Sequence, residues 1–248
     1  MNVSLYQAAA AMNAHARVQD LIAQNLALAG VPAARRMETS FESVPAGFAS
    51  GAPWAPGNRF YIPRVSVGTN FSQGEITPSD SPTDLAIEGP AFFEVQLPGG
   101  TPAYTRRGQF RVDAQGYLVT YQGLRVMGNN GPIQVDPKLA DAITITPEGQ
   151  VVQGQEVRGQ LRLVEFDNPH ALRSLPGGLF LAEDPALVPR QAAQSRVIQR
   201  ARESSNISPL HEMASLLTTL RLFEASQRVL QAQDERMGRT IAELGNPG

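Results

Sequence analysis

A seven-residue repeat near the C-terminal end constrains this chain more than any other feature. Leu216, Phe223, Leu230, Met237 and Leu244 recur at constant spacing, and Met213, Leu220 and Ile241 occupy interleaved positions that Gln227 and Asp234 interrupt. That pattern is the narrow a/d seam of a helix facing another helix, not the broad face of a helix lying on a globular core. Ser208 reads as the N-cap, Pro209 as the first helical residue and Glu212 as a first-turn acid. No proline follows before Leu244, which predicts a helix ~54 Å long at about 1.5 Å per residue. A seam of that length needs a partner helix.

The N-terminal end carries a similar stripe. Val3 to Ala29 lacks proline and glycine, and Leu5, Ala9, Met12, Ala16, Gln19, Ala23 and Leu26 alternate spacings of four and three. Ala8, Val18 and Ile22 widen that stripe, and Gly30 and Pro32 end it. The middle has a different character. Sixteen of the 19 prolines and 18 of the 22 glycines fall between Pro45 and Pro189, so long helices are excluded there.

Residues 45–82 read as loop, with one alternating piece at Tyr61 to Val67. From Thr83 short strand patterns alternate with turns, among them Leu85-Ala86-Ile87, Phe92-Phe93-Glu94-Val95, Tyr104 to Val112 and Leu161 to Phe166. Asp113-Ala114-Gln115-Gly116 and Pro147-Glu148-Gly149-Gln150 read as hairpin loops, which favours antiparallel pairing. Residues 190–204 read as a strand or linker. The expected class is α+β, with long N- and C-terminal helices forming a discontinuous coiled-coil-like domain and an antiparallel β-rich domain inserted between them. The expected boundaries are 1–44, 45–194 and 195–248.

Composition narrows the function. The formal charge of −2 gives no electrostatic case for nucleic acid, and the absence of cysteine removes disulfides, thiolate metal sites and cysteine nucleophiles. No run of 18 apolar residues occurs, so no helix is expected to insert in a membrane. The apolar N-terminal stretch lacks a basic lead and is broken by Gln7, Asn13 and His15, so no cleaved signal peptide is expected. His15, His170 and His211 lack metal-ligand spacing, and no nucleophile elbow or phosphate loop is present. Neither a catalytic site nor a cofactor is expected.

Several short motifs then occur in a telling order. Asn25-Leu26-Ala27 closes the first helix. Asp84-Leu85-Ala86-Ile87-Glu88-Gly89-Pro90-Ala91-Phe92-Phe93, Tyr104-Thr105-Arg106-Arg107-Gly108-Gln109-Phe110 and Gly116-Tyr117-Leu118-Val119-Thr120 follow in the strand region. Ser205-Asn206-Ile207-Ser208-Pro209, Glu212-Met213 and Arg221-Leu222-Phe223-Glu224-Ala225 open the tail. Over nearly its whole length the chain resembles the bacterial flagellar rod and hook proteins, and most of all their proximal-rod member, with the distal-rod protein next. Gly131-Pro132-Ile133, Phe223, Val229 and Asp234-Glu235 carry the proximal likeness.

The resemblance implies a non-enzymatic subunit of the flagellar axis that polymerises through its terminal helices and transmits torque from motor to hook. It implies other rod and hook subunits as partners, and export through the flagellar type III apparatus into a rod that spans the periplasm close to peptidoglycan. Leu5, Met12, Ile22 and Leu26 in the first helix, and Leu216, Leu220, Phe223, Leu230 and Met237 in the second, are the expected assembly-seam residues. Asn25 and Asn206 carry over as turn or interhelical hydrogen-bonding positions. One motif departs from the family: where it has a Thr-x-Gly-Phe-Lys/Arg turn, this chain has Val31, Pro32, Ala33, Ala34 and Arg35. A reading of another class takes the strand region as a glycan- or wall-binding module, with Trp54, Phe60 and Tyr61 as the exposed aromatics.

Overall fold

The computed structural model describes residues 3–48 and 59–244. Helix α1 spans Val3–Leu28 and helix α2 spans Pro209–Leu244. In α2 the Ser208 carbonyl accepts the Glu212 amide at 3.0 Å, so Ser208 holds the N-cap position. Between the helices lie β1 (Met37–Phe48), β2 (Arg59–Thr69), β3 (Ile76–Pro78), β4 (Leu85–Glu88), β5 (Phe92–Gln96), β6 (Pro102–Thr105), β7 (Phe110–Val112), β8 (Leu118–Thr120) and β9 (Arg125–Gly128), followed by further short strands up to Ala201–Glu203. The class is α+β.

The chain divides into two compact units. One comprises Met1–Ala27, Met37–Gly68 and Ser208–Gly248, and the other comprises Leu28–Arg36 and Thr69–Ile207. The strand ribbon β1–β2 therefore groups with the helices, and residues 195–207 group with the strands. The alternating piece at Tyr61 to Val67 is the body of β2, and its partner β1 runs past residue 44 into the stretch read as loop. Pro45, Gly47, Pro63 and Gly68 gave the ribbon the punctuation of a loop.

The strand-rich unit is built around β5. Its neighbours are β6 on one side and β9 on the other, and the sheet continues β9–β8–β7 and β6–Leu179–Leu181–Arg173–Leu175. The pairings β5–β6, β5–β9, β7–β8 and β8–β9 are antiparallel. Successive side chains of a strand point to opposite faces, and here both faces are covered. Phe93 and Val95 enter one core with Leu85, Ile87, Leu118, Val126 and Val151, while Phe92 enters a second with Tyr104, Val164, Phe166 and Phe180. Phe92 meets Phe71, Phe166 and Phe180 at ring separations of 5.8, 6.0 and 5.8 Å. This double burial explains the adjacent phenylalanines of the motif.

Both expected hairpin loops form. In the first, Asp113 Oδ1 accepts the amides of Gln115 (3.0 Å) and Tyr117 (2.7 Å), and Gly116 takes φ +84°, a region open to glycine. In the second, the Gly149 amide donates to the Thr146 carbonyl at 2.8 Å. The polar stretch 190–204 supplies strands too: Arg196–Gln199 pairs antiparallel with β4, and Ala201–Glu203 pairs antiparallel with β3.

Glu94 is the ionisable residue on β5. It faces the second core, and Arg162 approaches it at 3.2 Å from a half-exposed position. Burial raises the Glu94 pKa, and the Arg162 charge opposes the rise without cancelling it. A carboxyl whose folded pKa is raised costs nothing while neutral in both states. Stability is then lost as pH climbs from the unfolded carboxylate range through the folded pKa. Glu94→Gln is therefore expected to raise the urea midpoint at pH 7, with the gain vanishing near about pH 3.5. Arg162 is solvated enough to lose its partner at little cost. Equal gains at both pH values would contradict this account.

Candidate assembly surface

The asparagine of the Asn-Leu-Ala motif is a structural clasp. Asn25 is 2% exposed; its Oδ1 accepts the Met37 amide at 2.9 Å, and its Nδ2 donates to the Met37 carbonyl at 2.9 Å. The same Nδ2 donates to Glu212 Oε2 at 3.3 Å, which joins the last turns of α1 to the first turn of α2. Both exchanges with Met37 mimic a strand ladder, so Asn25 starts β1 where α1 ends.

Asn206 does comparable work in the strand-rich unit. Its Oδ1 accepts the Arg36 amide at 2.7 Å, and its Nδ2 donates to the carbonyls of Asn70 and Ser72, each at 3.0 Å. Both motif asparagines thus hold the chain as it leaves the first helix, each within its own unit. The departure at 31–35 has a local explanation as well. Ala33 takes φ +54°, so it adopts the left-handed conformation for which the family's glycine is suited. The Ala34 amide donates to the Val31 carbonyl at 3.2 Å and closes the turn.

One residue escaped the reading of the sequence altogether. Glu203, buried in the polar stretch before Ser205-Asn206, receives Arg35 Nη2 at 2.7 Å on one oxygen and Arg106 Nε at 3.1 Å on the other. Gly74 N also donates to Glu203 Oε1 at 2.9 Å, and the Ala33 amide donates to the Glu203 carbonyl at 2.8 Å. Arg106 also donates to the carbonyls of Gly89 (2.6 Å), Ile87 (3.2 Å) and Ala91. Burial pushes the Arg106 pKa down, and Glu203 draws it back up. The retained arginine of the turn and the arginine of the Tyr-Thr-Arg motif were both visible in sequence. The carboxylate on which they converge had no motif to mark it.

The seam residues sort by burial. On α1 the buried positions are Ala8, Ala14, Val18, Ile22 and Asn25, with Met12 and Leu26 half-buried; the side chain of Leu5 lies outside the described residues. On α2 Leu216, Phe223 and Leu230 are half-buried, Leu220 is 40% exposed and Met237 is 38% exposed. The shielded stripe interleaves them with Glu212, Thr219, Ser226 and Gln233, one residue before the interleaved set read from sequence. The polar members have the means to turn inward. Glu212 meets Asn25, while the hydroxyls of Thr219 and Ser226 donate to the Ser215 and Leu222 carbonyls at 2.8 and 2.9 Å. Met213 and Ile241 consequently face outward.

Leu210, Met213, Leu217, Leu222, Val229 and Ile241 leave α2 with a long run of exposed large apolar side chains. Tyr61 is also exposed; Trp54 and the side chain of Phe60 lie outside the described residues. Among the described residues no group of three or more His, Cys, Asp or Glu side chains could hold a metal ion, and no helix is long and apolar enough to cross a membrane. Exposed apolar surface on this scale marks an interaction surface.

Comparison with known proteins specifies the class. Residues 86–153 match the family described as flagellar hook protein FlgE/F/G D1 domain, and residues 198–243 match the flagellar basal body rod FlgEFG protein C-terminal family. The chain is 31% identical over 236 residues to the flagellar basal-body rod protein FlgG of Caulobacter vibrioides, covering 91% of this chain and 84% of that one. It is 29% identical over 256 residues to FlgG of Borreliella burgdorferi, covering 95% and 96%. It is 28% identical over 259 residues to the rod protein FlgF of Salmonella typhimurium, covering 96% and 97%. This chain belongs to the flagellar basal-body rod protein family.

Proposed function

We propose that this chain is a structural subunit of the flagellar basal-body rod, polymerising through its terminal helices and carrying torque from motor to hook. The observation that carries the reading is the uncovered apolar surface of α2 in a chain that matches rod proteins over most of its length. The shielded stripes run from Asn25 back to Ala8 on α1 and from Glu212 on to Gln233 on α2. With Asn25 bonded to Glu212, they form an antiparallel coiled-coil-like seam within one subunit. The outward residues Met213, Leu217, Leu220 and Ile241 then remain for neighbouring subunits. Head-to-tail contacts of that kind do not close on themselves, so they generate filaments.

In this reading the terminal helices belong to the axial core of the rod. Partners are further copies and other rod and hook subunits, export runs through the type III apparatus without signal cleavage, and the rod position is proximal. Leu5, Met12, Ile22, Leu26, Leu216, Leu220, Phe223, Leu230 and Met237 pack the seam within and between subunits.

Leu230→Asp tests the seam by placing a charge in an apolar contact. The variant is expected to keep the strand-rich unit folded, by unchanged near-ultraviolet circular dichroism, and to abolish swimming with loss of the protein from purified basal bodies. Normal swimming by this variant would defeat the assignment.

A further inference from the structure

Arg107 contrasts with its neighbour Arg106. Its guanidinium makes no hydrogen bond or ion pair among the described residues, and its Nε is buried without a partner. It lines a cavity of about 110 Å³ together with Thr105, Gln109, Thr120, Tyr121, Gln122 and Gly177. No lining residue is acidic. The Arg111 guanidinium lies 5.7 Å from the ring centre of Tyr121, which lines the cavity. Burial alone lowers the Arg107 pKa, as follows for a cation with no carboxylate nearby.

The turn beneath Arg107 leaves room for the group. Gly178 takes φ +74°, and a Cβ there would sit 2.8 Å from Arg107 Nε; at Gly177, φ +88°, a Cβ would sit 1.9 Å from Gln122 Nε2. A guanidinium offers five N–H donors in a planar fork matched to a carboxylate, and a buried donor left unused is costly. The cavity equals the volume of roughly three or four water molecules, enough for a carboxylate with a methylene or two and too little for a sugar ring.

We propose that this Arg107 cavity is a carboxylate-binding site, occupied by an acidic side chain of a neighbouring chain or by a small soluble carboxylate. The site itself stands independently of the rod reading, and only the neighbouring-chain source rests on it.

The test follows the arginine Nε–Hε signals of the full ¹⁵N-labelled chain by NMR during titration with sodium acetate, against sodium chloride of equal ionic strength. Acetate is expected to shift one signal saturably, that signal being absent from Arg107→Gln, while chloride leaves it in place. No acetate-specific shift overturns the proposal. Arg107→Gln removes an unpaired, half-buried charge, so its thermal midpoint is expected to equal or exceed that of the parent. A midpoint several degrees lower would show a structural role for Arg107 and also overturn the site. Loss of the Arg107→Gln protein from basal bodies then assigns the carboxylate to a neighbouring chain. Retention together with acetate binding assigns it to a soluble carboxylate.

Discussion

Glu203→Ala is expected to lower the stability of the strand-rich unit by about 3–5 kcal/mol, because breaking a buried ion pair leaves its partner charge uncompensated. Two guanidiniums are stranded here, since the Glu203 side chain is fully buried and those of Arg35 and Arg106 are each 3% exposed. The Gly74 amide loses its acceptor in the same step. At roughly 2–4 °C per kcal/mol the thermal midpoint falls by about 6–20 °C. Restoring neutrality is the informative control. Replacing Arg35 and Arg106 by Met and Glu203 by Leu removes all three charges and is expected to recover part of the loss, because apolar groups can replace a buried ionic cluster while the carbonyls of Ser72, Ile87, Gly89 and Ala91 lose these donors. A loss below about 1 kcal/mol in Glu203→Ala, the range of an exposed pair, would contradict the role given to this carboxylate.

Asn25→Asp is expected to disable the helical unit at neutral pH with almost no change in shape. The amide nitrogen that donates to the Met37 carbonyl and to Glu212 becomes an oxygen. It then faces a carbonyl and a second buried carboxylate, so two donations are lost and like charges are brought together. The folded-state pKa of the new aspartate is raised, so the penalty is absent at low pH and grows as pH rises through that pKa. Hydrogen exchange at the α2 amides near Thr219 is expected to accelerate at pH 7 and to return towards parental protection near about pH 4, after correction for intrinsic rates. Exchange identical to the parent at pH 7 would show that Asn25 does not tie α1 to α2.

How far the sequence revealed this protein depends on the kind of constraint. The helices were legible because their bounds follow from proline, glycine and capping residues that act locally. Strand β5 was legible as an unbroken apolar run, which is what burial on both faces demands. The stripe of α2 shielded within one chain was less legible. Apolar periodicity favoured Met213 and Leu220, whereas the fold shields Glu212 and Thr219, whose polar atoms find partners. Glu203 was hidden for the same reason: its importance lies in two arginines distant in sequence, and nothing around Ala201–Glu203 announces them. The β1–β2 ribbon was obscured by its own prolines and glycines. Asn25 and Asn206, carried over from short motifs, are engaged in turn-holding bonds, and the structure adds which backbone groups they hold.

The central claim is that this chain builds the rod, and quantitative mass spectrometry of purified hook–basal bodies from the source bacterium tests it most directly. The particles are measured before and after the hook and filament are stripped away. The account predicts that the chain stays in the stripped particle at a fixed ratio to the ring proteins. Its disappearance with the hook, or its recovery only as free protein, would contradict the rod assignment.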